Sequence, residues 1–201
     1  MKIIGIAGGS GAGKSTFVRN LSAVLGGKHI QIMPQDCYYR DGSHLELSVR
    51  KQQNFDHPDA IEWDLMVEHI RLLQQGHPID MPDYSMLTCT RTAHSTRLHA
   101  ADILIVEGIL IYTHEPLLSI IDYRVFLDVE QHDRYSRVLR RDMRDRGRTE
   151  PEVAERFHQT VEPMYKSFIE PTRQRANIIV PGGGKNMPAA RIVAAMAGGV
   201  G

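Results

Sequence analysis

A glycine-rich stretch near the amino terminus combines residue types that bind phosphate. Residues 8–15 read GGSGAGKS and match the pattern G-x-x-x-x-G-K-[ST], between an apolar run and an amphipathic stretch, as this motif requires. In such a loop, backbone N–H groups surround phosphate oxygens, Lys14 reaches the β- and γ-phosphates, and Ser15 can ligate Mg²⁺. We therefore predict a bound nucleoside triphosphate; a glycine-rich turn without a ligand is the alternative. The predicted triphosphate-binding residues are Gly8, Gly9, Ser10, Gly11, Ala12, Gly13, Lys14, Ser15 and Thr16.

Two acidic residues stand at the ends of apolar runs further along the chain. Asp36 follows the run HIQIM after two residues, and Glu107 closes the run DILIVE. Because ligands of parallel sheets gather at the carboxyl ends of the strands, we expect both acids near the triphosphate. Glu107 is predicted to reach Mg²⁺ or its water shell, and Asp36 to accept a proton from an acceptor hydroxyl. The alternatives are an ordinary strand-end acid and a turn-forming aspartate.

A third feature is an arginine-dense helix end. Residues 131–146 are predicted to form a charged helix that ends at Gly147. Its arginines recur every three or four residues and so share one face; they are Arg137, Arg141, Arg144 and Arg148. A flexible break in a cationic cluster is typical of a lid that closes over a transferring phosphoryl group, so we predict a lid at about residues 137–160. The alternative is a solvated helix whose arginines pair with Asp133, Asp142 and Asp145.

A parallel sheet is the element that must position these residues. Five apolar runs alternate mostly with helical stretches, which favours the α/β class with helices on both faces of the sheet; the runs are KIIGIA, HIQIM, DILIVE, YRVFLD and NIIV. Residues 77–100 contain prolines and have no helical period, and we predict an inserted β-hairpin there. A helix after residue 149 is expected to be interrupted by Pro163 and Pro171. We see no linker, and predict a single domain over residues 1–201.

Composition excludes several other classes of protein. Lys plus Arg number 24, as do Asp plus Glu, so no net charge attracts the chain to nucleic acid or to an anionic membrane. The apolar runs are too short to span a bilayer and the first residues are not typical of a secretion signal, so we expect a cytoplasmic protein. Cys37 and Cys89 have no C-x-x-C spacing, which argues against a thiol-rich metal or redox centre.

The chain resembles the uridine kinase family, in its bacterial form, over nearly its whole length. The segments that carry the resemblance, besides GGSGAGKS, are QDCYYRDGSHL, NFDHPDA, P-x-Y at 82–84, EGIL, RDMRDRGR, VEPMYKSFIEPT and NIIVPGGGKN. This resemblance implies a P-loop kinase with a nucleoside-monophosphate-kinase-like fold: a five-stranded parallel sheet flanked by helices, an inserted hairpin and a helical lid. It implies Mg²⁺-dependent transfer from ATP or GTP to the 5′-hydroxyl of uridine or cytidine in pyrimidine salvage, and usually a homotetramer.

The resemblance also implies a role for individual residues. Asp36 matches the general base, Asp56 a ribose-binding carboxylate, and Tyr84 a residue of the nucleobase pocket. Glu107 matches a magnesium-associated acid, and Tyr39 is predicted to shape the acceptor pocket. Arg141 and Arg146 match lid residues near the phosphates, and together with Asp36 and Lys14 they form the predicted catalytic set. Arg148 matches a lid residue that touches the nucleoside.

Three positions depart from the family pattern, and all three belong to the nucleoside environment. Cys89 stands where a histidine is expected against the pyrimidine, Val138 where a second arginine is expected, and Arg156 where a glutamine is expected. Cys89 and Arg156 remain in the predicted substrate-binding set. These departures leave two further hypotheses: a related kinase acting on another riboside or a sugar phosphate, and a nucleotide-binding regulator without catalysis. They also leave the acceptor substrate open.

Overall fold

The five apolar runs form the central sheet of the computed structural model, which describes residues 1–198. Numbered along the chain, its strands are β1 (Lys2–Ala7), β2 (Ile30–Pro34), β5 (Ile103–Glu107), β6 (Tyr123–Asp128) and β7 (Ile178–Pro181). They are parallel and lie in the order β2-β5-β1-β6-β7, with β1 at the centre. The predicted α/β class and five-stranded parallel sheet are confirmed, and each strand begins and ends within one residue of its prediction.

Helices cover both faces of the sheet. Residues of the helices at 14–24 and 187–196 pack with Ile4, Ile6 and Leu127 on one face, and residues of the helices at 63–74 and 115–118 pack with Ile3 and Phe126 on the other. The central strands are therefore buried on both sides, which is why they read as continuous apolar runs. The helices are α1 (Lys14–Val24), α2 (Leu47–Lys51), α3 (Trp63–Gln74), α4 (Glu115–Leu118), α5 (Gln131–Asp145), α6 (Glu150–Arg156), α7 (Glu162–Met164) and α8 (Met187–Met196). None of the helices within residues 1–198 is both long and apolar enough to cross a membrane.

The predicted hairpin is present as a separate two-stranded antiparallel sheet, β3 (Ile79–Ser85) and β4 (Thr90–Leu98). Its register shifts between Pro82 and Tyr84, where proline has no N–H for the ladder. Ile79, Met81 and Leu98 turn inward and join the core beneath the helices. The hairpin is thereby fixed to the body of the protein, with its turn at residues 86–89 beside the carboxyl edge of the main sheet.

The helical region after Gly147 differs in detail from the prediction. Thr149 and Glu152 form a capping box that begins α6, as their types and spacing favour. The chain does not break at Pro163, because wide π-helical turns at residues 157–161 and 165–169 flank α7. A wider turn accommodates a proline that lacks an N–H donor and crowds the preceding carbonyls. Pro171 lies in a tighter 3₁₀ turn at residues 170–175, so the two prolines change the pitch of a continuous helical path.

A stability prediction arises from Tyr112, whose ring is fully buried under the sheet. Its hydroxyl donates to the carbonyl oxygens of Gly5 at 2.7 Å and Val125 at 3.0 Å, joining β1 to β6. We expect Tyr112→Phe to lower the free energy of unfolding by about 1–2 kcal/mol, because these buried contacts are lost. Tyr123→Phe, at a half-buried tyrosine of β6, is the control. Urea unfolding midpoints measure both, and equal midpoints for the two variants would contradict the prediction.

Candidate active site

A cavity of about 700 Å³ opens at the carboxyl edge of the sheet. Sixteen of the nineteen predicted site residues line it: Ser10, Gly11, Gly13, Lys14, Ser15, Thr16, Asp36, Tyr39, Asp56, Tyr84, Cys89, Glu107, Arg141, Arg146, Arg148 and Arg156. The other three, Gly8, Gly9 and Ala12, form the buried backbone of the same loop. Residues separated by up to 146 positions in sequence therefore meet in one space.

The loop at residues 8–15 has a backbone shape that only glycine adopts easily. Gly11 and Gly13 have φ values of +82° and +89°, and a Cβ on Gly11 would lie 2.4 Å from the carbonyl oxygen of Arg134. The Lys14 ammonium donates to the carbonyl oxygens of Gly8 at 3.1 Å and Gly9 at 3.3 Å. Burial lowers the pKa of Lys14, and the Glu107 carboxylate opposes that shift. An anion entering the loop would meet a buried ammonium already directed at it.

Ser15 and Glu107, the two predicted metal residues, are in contact. The Ser15 hydroxyl donates to Glu107 Oε1 at 3.0 Å, across 92 positions of sequence. Burial raises the pKa of Glu107, while the nearby Lys14 ammonium lowers it. Within residues 1–198, no group of three or more His, Cys, Asp or Glu side chains is placed to hold a metal ion. Two oxygen donors fit Mg²⁺, which commonly completes its shell with phosphate oxygens and water.

Asp36 lies in a 3₁₀ turn, Gln35–Tyr38, that directly follows β2. Two contacts hold this turn: Gln35 Oε1 accepts from the Leu110 N–H at 2.7 Å, and the Tyr38 hydroxyl is 2.9 Å from His69 Nδ1. The Asp36 carboxylate lines the cavity and takes part in none of the side-chain hydrogen bonds found in the described part of the chain. It is therefore rigidly placed and available as a proton acceptor.

Gln35 is a residue that the sequence analysis missed. Its side chain is fully buried and fills the space where a Cβ on Gly108 would lie, 2.4 Å from Gln35 Oε1. Glycine after Glu107 is thus required for the strand to pass beside the turn that carries Asp36. The only signal in the sequence was that glycine, and nothing indicated which side chain it makes room for.

Three aromatic rings form one wall of the cavity. Tyr39 lies with its ring centroid 5.1 Å from that of Phe55 and 5.2 Å from that of Tyr84, in edge-to-face and tilted arrangements. Phe55 was not predicted, although it directly precedes Asp56. The Tyr84 hydroxyl oxygen is buried and has no hydrogen-bond partner among the described residues. The wall is therefore apolar, with one unsatisfied hydroxyl.

Cys89 closes the same wall from the turn of the hairpin. It is 5% exposed, and its φ of 51° makes it the one non-glycine residue with positive φ within residues 1–198. Its thiol lies 3.6 Å from the Met86 carbonyl oxygen. The adjacent Thr90 donates to Asp41 Oδ1 at 2.6 Å, which ties the hairpin to the segment after Asp36. A strained backbone at a pocket wall indicates that tertiary contacts dictate this conformation.

The lid arginines converge on one buried carboxylate, that of Asp142. Its side chain is 2% exposed and lies 2.7 Å from Arg141 Nε, 3.4 Å from Arg148 Nη1 and 3.5 Å from Arg146 Nη1. Arg141 also donates to the Ser10 hydroxyl at 3.3 Å, so the arginine cluster touches the phosphate-binding loop. The alternative of a solvated helix holds only further out, where Arg144 and Asp145 form an exposed pair. The sequence analysis named Asp142 only as an arginine partner on a solvated helix, and did not predict that it is the buried centre of the cluster.

Two of the three residues predicted to depart from the family pattern, Arg156 and Val138, have clear partners in the structure. Arg156 Nη2 donates to Asp56 Oδ2 at 3.0 Å, and Asp56 is only 4% exposed. Val138 is buried against Val153 and Phe157, where it joins α5 to α6 by apolar contact. Burial raises the pKa of Asp56, and the Arg156 guanidinium is the main influence that lowers it. Arg156 therefore favours the ionised form of the predicted ribose-binding carboxylate.

Removing this pairing should change the pH dependence of acceptor binding. In Arg156→Gln the pKa of Asp56 rises further, because burial is no longer opposed by a guanidinium. A protonated Asp56 accepts hydrogen bonds poorly, so acceptor affinity is lost as the pH falls through that pKa. We expect the acid limb of kcat/KM for the acceptor to move to higher pH. Arg156→Lys, which keeps the charge, should leave the limb near its original place; an unmoved limb in Arg156→Gln would contradict the assignment.

Arg134 is a second residue that the sequence analysis missed. It is 2% exposed, donates to the Val129 carbonyl oxygen at 3.1 Å and to Glu162 at 2.7 Å, and lies 3.7 Å from the centroid of the Tyr165 ring. Its side chain packs directly under Gly9, where an added Cβ would lie 3.0 Å away. It thus supports the phosphate-binding loop from below. Its helical position gave no signal, since it read as one more exposed arginine.

The loop that contains PGGGK lies against the other side of the phosphate-binding loop. A Cβ on Gly183 would lie 2.3 Å from the Ala12 carbonyl oxygen, and Asn20 donates to the Gly184 carbonyl oxygen at 2.9 Å. Lys185 lines the cavity beside them. The glycines here are explained by the close approach of two backbones. The sequence analysis noted this motif without assigning it a role.

Comparison with known proteins places the chain among kinases. The family model described as "Phosphoribulokinase / Uridine kinase family" matches residues 3–188. A protein named uridine kinase from Escherichia coli (strain K12) is 41% identical over 197 residues, which cover 96% of this chain and 92% of the relative. One of the same name from Geobacillus kaustophilus (strain HTA426) is 40% identical over 193 residues, with the same coverage. The solved phosphoribulokinase from Rhodobacter spheroides has a TM-score of 0.67 at 14% identity, covers 90% of this chain and 69% of its own, and shares the fold.

Proposed function

The chain belongs to the phosphoribulokinase/uridine kinase family, and from this premise we propose that it phosphorylates the 5′-hydroxyl of a pyrimidine nucleoside. The observation that supports this most is a single cavity in which the phosphate-binding loop faces two carboxylates. One is that of Asp36, which makes no side-chain hydrogen bond within residues 1–198, and the other is the buried carboxylate of Asp56. Family membership confirms the predicted resemblance and the enzyme class, a phosphotransferase. The roles of individual residues are part of the proposal.

One end of the cavity is proposed to bind the nucleoside, and the other end to bind the triphosphate. The ribose hydroxyls of the nucleoside bind the Asp56 carboxylate, since a vicinal diol offers paired donors. The base lies against the wall of Tyr39, Phe55 and Tyr84. This orientation directs the 5′-hydroxyl toward Asp36 and the phosphate-binding loop.

Transfer then needs positioning and charge neutralisation more than covalent chemistry. Asp36 accepts the proton of the 5′-hydroxyl late in the reaction, when a loose transition state has made that hydroxyl acidic. Lys14 and the lid residues Arg141 and Arg146 stabilise the negative charge of the transferring phosphoryl group. Ser15 and Glu107 would hold Mg²⁺, which would neutralise further phosphate charge. Gly147, with φ of +63° and no neighbour within 4 Å of a Cβ, is the proposed hinge of the lid.

Membership in the family also leads us to propose a phosphate donor, a metal cofactor, a metabolic role, a location and an oligomeric state. We assign ATP, or alternatively GTP, as donor with Mg²⁺, a role in pyrimidine salvage, a cytoplasmic location, and a homotetramer. Light scattering coupled to gel filtration measures the oligomer: a mass near four times 22.7 kDa is expected, and a monomer would overturn that part.

A nucleoside panel tests the proposed activity directly. ADP release is coupled to NADH oxidation with uridine, cytidine, their 2′-deoxy forms, purine nucleosides and sugar phosphates as acceptors. We expect turnover with uridine or cytidine that depends on Mg²⁺ and on the 2′-hydroxyl. Lys14→Met is the negative control, since it removes the ammonium directed at the phosphates. ADP release that is independent of every nucleoside would overturn the proposal.

One observation favours a second function, a kinase for a different hydroxylated metabolite. The Tyr84 hydroxyl has no partner among residues 1–198, and Cys89 at the same wall is too weak a donor to substitute for a histidine. Restoring that histidine with Cys89→His separates the two functions. Under nucleoside phosphorylation, KM for uridine falls by roughly tenfold as a base contact is regained. Under the second function, the variant does not improve uridine use at all.

A further inference from the structure

A second cavity, of about 560 Å³, lies directly behind the acceptor end of the first. Five side chains line both cavities: Met86, Cys89, Arg146, Arg148 and Arg156. These side chains are therefore the partition between the two spaces. The second cavity is bounded on its far side by the segment at residues 51–54 and by the helical residues 152–164.

The partition is weakest around Cys89. The thiol is the smallest side chain in it, and its single contact of hydrogen-bond type is the 3.6 Å approach to the Met86 carbonyl oxygen. Met86 is half-buried and unbranched, so it can change rotamer at low cost. Arg148 is held by one ion pair of 3.4 Å to Asp142, longer than the 2.7 Å contact of Arg141 with the same carboxylate. Small side-chain movements would therefore join the two cavities.

The walls of the second cavity determine what could enter it. Asn54, Gln159 and Thr160 offer amide and hydroxyl groups, and Arg148 and Arg156 offer guanidinium N–H donors near the opening. Each guanidinium there has one carboxylate contact, to Asp142 and to Asp56 respectively, which leaves other N–H groups available. Met86, Leu87 and Met164 add apolar surface. Lys51, Glu152 and Glu155 also line this cavity with exposed side chains, and the Glu152 carboxylate already accepts from the Thr149 N–H and hydroxyl. The combination suits a short chain that is apolar near the base and ends in a hydrogen-bond acceptor.

We propose that the acceptor pocket continues past Cys89 into this second cavity, and that the acceptor is a nucleoside whose base carries an additional substituent ending in a hydrogen-bond acceptor. The substituent passes through the space that a side chain larger than cysteine would fill at position 89. Its terminal oxygen accepts a hydrogen bond from Arg148, Arg156 or Gln159. This inference rests on the proposed function, since it names the kind of nucleoside that the same site takes.

Substituted nucleosides and size variants at position 89 test the inference together. The acceptors are uridine, uridines extended at C5 by methyl, propynyl and carboxymethyl groups, and cytidine with its N4-acetyl form. The variants are Cys89→Ala, which keeps the passage open, and Cys89→His, which fills it. Each is assayed for kcat/KM and, without ATP, for the acceptor dissociation constant by calorimetry; melting temperatures establish that the variants are folded.

We expect the best extended nucleoside to exceed uridine in kcat/KM by about tenfold or more, a difference that burial of one or two groups supplies. Cys89→His should lower kcat/KM for that extended nucleoside itself at least tenfold, and Cys89→Ala should lower it far less. Rejection of every extended nucleoside by the wild-type chain, or a kcat/KM for the extended nucleoside that Cys89→His leaves unchanged, overturns the inference. If no acceptor is phosphorylated, the proposed function fails, and the calorimetric ratios still decide for or against the extended pocket.

Discussion

Replacing Asp36 with asparagine should lower kcat for the nucleoside by about 10²- to 10⁴-fold, the usual contribution of a general base. Asparagine keeps the size of the side chain but cannot accept the proton of the 5′-hydroxyl. The turn that carries residue 36 should survive, since its anchors are the contacts of Gln35 with Leu110 and of Tyr38 with His69. ATP affinity, measured by calorimetry, should therefore change by no more than a few-fold.

The matched control for Asp36→Asn is Asp59→Asn. Asp59 is an aspartate of the same side of the protein, but its carboxylate is 91% exposed and lies outside the cavity. It should retain activity within about twofold, as exposed substitutions usually do. Asp36→Asn with undiminished nucleoside-dependent ADP release would show that Asp36 is not the base. If the wild-type chain binds ATP but shows no turnover with any acceptor, the result would instead favour a non-catalytic regulator.

Replacing Asp142 with asparagine should lower kcat/KM for ATP by about 10²-fold, the second largest effect we expect. Three guanidinium groups contact this one buried carboxylate, at 2.7, 3.4 and 3.5 Å. Without its charge they repel one another and disperse, so the lid no longer presents Arg141 and Arg146 together. Loss of a single well-placed cationic or N–H contact to a reacting phosphoryl group is commonly worth 10²–10³ in rate. Asp142→Glu should recover part of the activity.

Asp145→Asn controls for loss of a negative charge on the same helix. Asp145 pairs with the exposed Arg144 at 2.6 Å, and such surface pairs contribute little. Its kinetics should stay within about twofold of the wild type. Both variants are compared well below their melting temperatures, because removal of the Asp142 charge also leaves three half-buried arginines uncompensated. Equal activity in the two variants would show that the Asp142 contacts do not organise the lid.

The sheet was predictable because its information is local. Strands β1, β5 and β6 are buried on both faces, and only an uninterrupted apolar run fits such a position. The helical region after residue 149 was predicted less well. Pro163 reads as a break in the sequence, yet Val161 and Tyr165 on either side of it pack into buried clusters, and wide turns preserve the helix. Packing there overrode the local preference of proline.

The residues of the candidate site could likewise be predicted only in part. Its phosphate-binding loop and its strand-end acids follow from short motifs and from the geometry of parallel sheets, so Lys14, Asp36 and Glu107 could be singled out. Partners could not be predicted in this way. Nothing local links Arg156 to Asp56 across 100 residues, or Gln35 to Leu110 across 75.

The fold class, the phosphate-binding chemistry and membership in a kinase family could all be predicted from the residues alone, since each depends on residue types at short spacing. The neighbours of each charged or buried side chain became known from the folded chain. The tertiary structure placed Asp142 under three arginines, Gln35 beside Gly108, Arg134 beneath the loop, and Cys89 between two cavities. The physical reason is that burial and electrostatic pairing depend on distance in space, which contacts distant in sequence determine. The surroundings of Cys89, Val138 and Arg156, the three positions predicted to depart from the family pattern, also depend on such contacts.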